Sequence, residues 1–204
     1  MPLSSPGEML HKLLQIGEPV LRDKASSLTR EEILSHPIQN LISSMHNTLR
    51  AAPGVGLAAP QIGLPIQLAI IEDLREYWNE LSPSEIAMRQ RREVPFHVII
   101  NPTITFADEG SVEFFEGCLS LSGFTALVPR CQEVAVECLD ERAEPRTIRA
   151  SGWYARILQH EIDHLEGIIY VDRMHPRSFM SLENYKRYWK GENLERIRQG
   201  FARS

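Results

Sequence analysis

Apolar residues recur at two different periods along this chain, and the change from one to the other divides it into elements. Ile38, Leu41, Ile42, Met45 and Leu49 follow helical spacing, with Pro37 placed for a first turn, so an amphipathic helix packed on a core is expected there. Pro65 to Ile71 and His97 to Asn101 are short runs rich in isoleucine and valine, the signature of buried strands. In Glu133 to Leu139, Val134, Val136 and Cys138 alternate with polar neighbours, as in a half-buried antiparallel strand. Asp140 to Pro145 then reads as a hairpin connection returning through Arg146 to Ala150, and Gly152 opens a second helix.

The segments between these elements have their own signatures. Glycines and prolines in Ala51 to Gly63 forbid a regular helix and predict an exposed loop. The charged stretch Glu72 to Pro95 predicts a surface excursion with about one helical turn. Gly110 to Phe115 predicts a strand leading into Glu116 to Ser120, the run IIYVD after Gly167 predicts another, and Ser178 to Phe201 has roughly helical spacing. Mostly strands followed by a long helix argues for an α+β fold, antiparallel sheets packed around that helix.

The helix opening at Gly152 carries QHEIDHLEG, residues 159–167. Positions i and i+4 share one helical face, so His160 and His164 can reach a single metal ion, and Glu161 sits beside it as a candidate general base toward water. The same five-residue pattern also occurs on helices that bind nothing, so its context decides. Upstream stand GVGLAAPQIG, residues 54–63, and EGCLS, residues 116–120. These three stretches, in this order, resemble the three motifs of the peptide deformylases, and the resemblance runs from about Ile16 to Met174.

That resemblance implies a set of roles. Cys118 becomes the third metal ligand with His160 and His164, and Glu161 the acid and base. Gln61, through its side-chain amide, and Leu119, through its backbone N–H, become oxyanion donors. Val55, Gly56 and Leu57 become a backbone ledge for a peptide strand, while Glu116 and Ile157, with Val55, Gly56 and His160, border a methionine pocket. The implied reaction is hydrolysis of the formyl group from the N-terminal formyl-methionine of newly made polypeptides. One divalent ion is implied, with Fe(II) physiological and Zn, Ni or Co as replacements; ligand softness by itself points to zinc. SGWYARILQHE and VDRM resemble the branch found in mitochondria, plastids and some bacteria. Leu119, where animal mitochondrial forms have glutamate, favours the bacterial or plant-like type.

Composition narrows the picture further. A chain of 204 residues with a net charge of −5 fits one domain, 1–204, and argues against a polyanion-binding or specific DNA-binding role. The C-terminal extension from about 178 is locally basic: Lys186, Arg187, Lys190, Arg196, Arg198 and Arg203 stand against Glu192 and Glu195. A contact with ribosomal RNA or a neighbouring subunit is the expectation there, and a solvated helix face the competing one. No apolar run approaches the roughly 18–20 residues of a membrane span, and the first residues lack the features of a signal or transit peptide. With three cysteines and no secreted disulfide pattern, the expected location is the bacterial cytoplasm, or an organelle after transit-peptide removal. Two other functions compete: a zinc endopeptidase, for which no downstream third ligand is evident, and a metal-stabilised binding module without turnover, which would need a fourth protein ligand.

Overall fold

The computed structural model describes residues 10–107 and 110–202. Its strands are β1 (Gly56–Ala58), β2 (Leu68–Asp73), β3 (Val94–Phe106), β4 (Ser111–Cys118), β5 (Leu121–Cys131), β6 (Glu133–Leu139), β7 (Pro145–Ser151) and β8 (Met180–Ser181). The helices are α1 (Arg30–Leu34), α2 (His36–Arg50), α3 (Pro83–Met88), α4 (Gly152–Leu165), α5 (Leu182–Tyr188) and α6 (Leu194–Ala202). Antiparallel pairing gives a five-stranded sheet in the order β1-β2-β3-β6-β7 and a smaller sheet in the order β4-β5-β8.

The larger sheet is covered on both faces, which explains why β2 reads as a continuous apolar run and not as an alternation. Leu68 and Ile70 point toward α2, where Ile42, Met45 and Leu49 meet them. Ala69 and Ile71 point the other way, onto Ala155, Leu158, Ile162 and Leu165 of α4. Helix α4 touches β1, β2, β3, β5, β6 and β7, so it lies enclosed by both sheets, as the expected α+β arrangement requires.

Four expectations need correction. The glycine-rich stretch from Ala51 is an exposed loop only at its ends, where Ala51, Pro53 and Gly63 are exposed: all of β1 and the following 3-10 turn residues Ala59, Pro60 and Gln61 are buried, because β1 is the sheet's edge strand against α4. IIYVD is not a strand. Gly167, at φ +72°, turns the chain against the Arg22 backbone, and Tyr170–Asp172 form a 3-10 turn in which Asp172 accepts from the Ile169 N–H at 2.9 Å. The excursion from Glu72 does contain short helical turns, but it is anchored inward: Asp73 accepts from the Trp78 indole at 2.8 Å and from Arg91 at 2.7 and 2.8 Å. The C-terminal extension is not a simple solvated helix, since Tyr185, Trp189, Leu194, Ile197 and Phe201 pack on Phe115 and Leu127 of the smaller sheet.

A carboxylate ties α2 to the edge of the large sheet. Glu72, 2% exposed, accepts from Arg50 Nε and Nη2 at 3.0 and 2.9 Å, from His46 Nε2 at 3.1 Å and from the Tyr77 hydroxyl at 2.9 Å. The Arg50 bonds, opposed by burial and helped by His46 and Tyr77, hold its carboxyl at about 2. A folded value below the ordinary 4.5 stabilises the fold above that pH and is lost as pH falls toward 2. Glu72→Gln should therefore flatten part of the fall in urea midpoint between about pH 5 and pH 3. Parallel curves for parent and variant would remove Glu72 from the acid response.

Candidate active site

Helix α4 places His160 and His164 one turn apart, with ring centroids separated by 5.0 Å. Strand β4 ends at Cys118 just after a register shift between Glu116 and Cys118, an irregularity that re-aims the side chain toward the helix. Cys118 Sγ lies 3.2 Å from His164 Nε2, and one donor atom each from Cys118, His160 and His164 falls within 4.8 Å of the others. Among the described residues this is the one such group of His, Cys, Asp and Glu side chains.

Charge is arranged to favour a cation at this point. Burial would push the Cys118 thiol up, but His164 and His160 bring it well below its ordinary value. Glu116 Oε2 sits 2.9 Å from His160 Nδ1, which fixes the ring and leaves Nε2 toward the thiol. Glu116 is itself buried, and burial opposes its charge; Arg130 and His160 nevertheless hold its carboxyl well below the usual range. Arg130 contacts both Glu116 oxygens at 3.0 Å and also pairs with Asp163, which accepts from Arg173 at 2.7 Å through each oxygen. Arg156 donates to Glu116 at 2.5 Å and to the carbonyls of Val128 and Val112 at 2.9 and 2.6 Å.

Glu161 stays out of the donor group. It is buried, burial pushes its carboxyl up to about 7, and Oε2 has no partner among the described residues. The β1 backbone passes directly over it: a Cβ on Gly56 would stand 2.3 Å from Glu161 Oε1. Glycine is thus required at 56 by close approach. Gln61 is also buried. Its Oε1 accepts from the Ala58 N–H at 2.9 Å, which orients Nε2 toward Ser120 Oγ at 3.3 Å and Cys118 Sγ at 3.5 Å. The carbonyl of Leu119 accepts from Gln15 at 2.9 Å and from Ser122 at 3.2 Å, which pins the turn after Cys118.

The free edge of β1 borders the same centre. Because the Glu72 N–H donates to the Val55 carbonyl at 3.0 Å, 57/70 is the next hydrogen-bonded pair of β1 and β2, and Gly56 directs its backbone groups away from β2. Leu57 faces the α2 core, whereas Val55 and Ile157 pack together on the α4 side. Glu116 lies beneath His160, with both oxygens engaged.

Pattern reading passed over Arg130, Arg156, Asp163 and Arg173. The available signal was a charge inside an apolar run, as in ALVPRC and YARIL, because a buried guanidinium requires a partner.

A family model described as polypeptide deformylase matches residues 10–179. The chain belongs to the polypeptide deformylase family. It is 45% identical over 175 residues to peptide deformylase 1A, chloroplastic/mitochondrial, of Arabidopsis thaliana, covering 86% of this chain and 65% of that protein. With peptide deformylase 1 of Bifidobacterium longum it shares 43% identity over 183 residues, 89% of this chain and 81% of the other. A Met-Ala-Ser-bound class I type b peptide deformylase from Acinetobacter baumannii superposes with a TM-score of 0.72 at 29% identity, covering 82% of this chain and 99% of that one. This chain therefore spans just under two thirds of the plant relative's length and most of the bacterial ones. Membership in the deformylase family implies a divalent metal ion, and the thiol and two imidazoles here form a donor set suited to one.

The carboxylate network beneath the deformylase site yields a contrast that can be measured. Arg130→Met takes one buried guanidinium from both Glu116 and Asp163, leaving them Arg156 with His160 and Arg173 respectively, and should lower urea unfolding stability by about 3 kcal/mol. Arg173→Met removes a guanidinium that is 42% exposed and should cost about 1 kcal/mol or less. Equal losses would show that Arg130 is not the buried keystone of Glu116 and Asp163.

Proposed function

We propose that this chain is a metal-dependent amide hydrolase that removes the formyl group from the N-terminal formyl-methionine of newly made polypeptides, releasing formate. What carries the reading is the convergence of Cys118, His160 and His164 on one point beside a buried carboxylate, Glu161, that has an oxygen to spare. Its catalytic domain spans the chain, with the extension from about 178 packed against the smaller sheet.

Cys118, His160 and His164 are the ligands in this reading, and the ion they hold supplies Lewis acidity to water and to the formyl oxygen. Fe(II) is taken as the working ion, with Zn, Ni or Co able to occupy the same thiolate and imidazole set. Glu116 keeps His160 turned so that Nε2 is the ligating nitrogen. Glu161 removes the proton from the attacking water and returns it to the departing amine. As the formyl carbon becomes tetrahedral, the Gln61 side-chain amide and the Leu119 N–H donate to the developing oxyanion; the Ala58 bond to Gln61 sets that amide in advance. The peptide extends along the free edge of β1, pairing with the backbone at Gly56, so that many sequences are held without being read. Val55 and Ile157 give the apolar side of the methionine pocket, with Glu116 and His160 below it. The bound Met-Ala-Ser of the Acinetobacter deformylase has the sequence expected of such a product.

The site of action is proposed to be the bacterial cytoplasm, or an organelle; three cysteines without a disulfide agree with a reducing compartment, and no helix among the described residues is long and apolar enough to cross a membrane. Ribosome contact through the C-terminal extension has narrower support than a charge count gives. Lys190 faces Glu80, Arg196 pairs with Glu192 and Arg198 with Glu113, leaving Lys186 and Arg187 on α5 without a carboxylate partner among the described residues, outside which Arg203 lies. Lys186→Gln with Arg187→Gln should weaken co-sedimentation with ribosomes about tenfold at low salt, an effect that fades as salt rises. Truncation is the poorer test, since it would remove Ile197 and Phe201 from their packing. Unchanged co-sedimentation would return the extension to a structural role.

Formate release from formyl-Met-Ala-Ser, measured together with metal content, tests the main proposal. Turnover with one ion per chain is expected, and Cys118→Ala, His160→Ala or His164→Ala should lose the ion. Cleavage of unformylated casein would instead favour an endopeptidase, and bound metal without either activity a binding module. Glu161→Gln should retain the ion and a near-parental KM, while kcat falls by about 10²–10⁴-fold or more. Substantial turnover in that variant, with metal bound, would remove Glu161 as the base.

A further inference from the structure

A pocket of about 340 Å³ opens between the start of β3 and strand β7, away from the Cys118 cluster. Its wall includes Arg92, Arg146 and Arg149, all exposed, none with a carboxylate partner among the described residues. Neighbouring Arg91, by contrast, is committed to Asp73. Glu93 shares the lining and Glu141 acts on His97 from beside it, so three arginines stand against two carboxylates on a chain whose net charge is −5.

The lining also contains a polar pair of definite direction. His97 Nδ1 lies 2.9 Å from the Pro95 carbonyl, so that nitrogen carries the hydrogen. His97 Nε2 must then accept from the Tyr154 hydroxyl, 2.9 Å away. Burial lowers His97, consistent with a neutral ring; Arg146 lowers it further and Glu141 opposes that. With its proton given to His97, the Tyr154 oxygen offers lone pairs to the pocket. Tyr154 stands six positions before His160 on α4, roughly 9 Å along the axis.

We propose that this pocket binds a protonated phosphate group, either hydrogen phosphate itself or the terminal phosphate of a small nucleotide. Guanidinium groups match phosphate oxygens two at a time. A phosphate that retains a proton also supplies the donor that the Tyr154 oxygen lacks; sulfate, of the same shape, carries no proton at neutral pH. Phosphomonoesters lose their second proton near pH 6, so binding is best tested slightly below neutrality. The volume admits a small ligand and not a macromolecular segment.

Calorimetric titration of the metal-loaded full chain near pH 6.5, with ionic strength balanced by chloride, compares inorganic phosphate, AMP and sulfate. Saturable phosphate binding is expected, with sulfate weaker by about threefold or more, the worth of one hydrogen bond. AMP binding tighter than inorganic phosphate would assign a nucleotide, and equal or weaker AMP binding the free ion. Arg146→Gln with Arg149→Gln should weaken phosphate about tenfold or more. Tyr154→Phe should abolish the preference over sulfate. Neither change should alter formate release, because none of these residues touches the deformylase centre. Absence of saturable binding, equal binding of sulfate, or indifference to the arginine substitutions would overturn the proposal. Failure here leaves the deformylase reading intact, and the reverse holds as well.

Discussion

Enclosure of α4 on every side is the constraint to which the rest of the structure answers. From Ala155 to Leu165 every residue except His160 is buried, and the series includes Arg156, Gln159, Glu161, Asp163 and His164. A helix this polar can be interior only where its neighbours supply partners, since an unpaired buried charge costs several kcal/mol. Strands β4 and β5 supply them: Glu116 meets Arg156 and His160, Arg130 joins Glu116 to Asp163, and Gln159 exchanges bonds with the Cys131 backbone at 2.8 and 3.0 Å. Such a network is weak evidence for stability, but it allows one rotation of the helix, the one that brings both histidines to Cys118.

That division governs what the sequence could tell. Helical period and the His-x-x-x-His spacing are local, so α2, α4 and β6 could be read directly, and the deformylase motifs supplied Cys118 from 42 residues upstream of His160. Partners are not local. Glu116 was expected to border a pocket, but its acceptors serve residues 14 and 40 positions away, and no periodicity encodes that. The glycines of GVGLAAPQIG show the same limit: Gly63, at φ +90°, answers to backbone conformation, Gly56 to the nearness of Glu161, and a sequence prints one letter for both. Strand β5 was hidden by Gly123, Pro129 and Arg130, which interrupt its apolar run although the strand crosses them.

Charge counting along the C-terminal extension sees only part of its surroundings for a related reason. A local tally sees Glu192 and Glu195 only, whereas Glu113 on β4 and Glu80 in the excursion before α3 neutralise Arg198 and Lys190 from far along the chain. The apolar stripe of the same segment lies over Phe115, one residue from Glu116. Its packing therefore backs the strand that carries Glu116 and Cys118, which gives these residues a structural task independent of any partner.

The remaining buried polar atoms mark where the structure is built to be completed. Among the described residues, the buried side-chain atoms without a hydrogen-bond partner include Glu161 Oε2, His164 Nδ1 and the Tyr170 hydroxyl, and all three residues gather at the Cys118 centre: Tyr170 shares an apolar cluster with Cys118, and its ring stacks with His160 at 6.4 Å. Folded proteins leave few such groups, and those they leave concentrate where a ligand or water supplies the missing partner. The other two, Arg89 Nε and Trp153 Nε1, belong to a cation–π contact of 4.5 Å and lie at the opposite end of α4. Unsatisfied hydrogen bonding thus coincides with the thiol, the two imidazoles and the free edge of β1. A buried carboxylate with an unused oxygen is costly to keep, and its place beside the thiol and imidazoles is what the proposed proton-transfer role of Glu161 asks for.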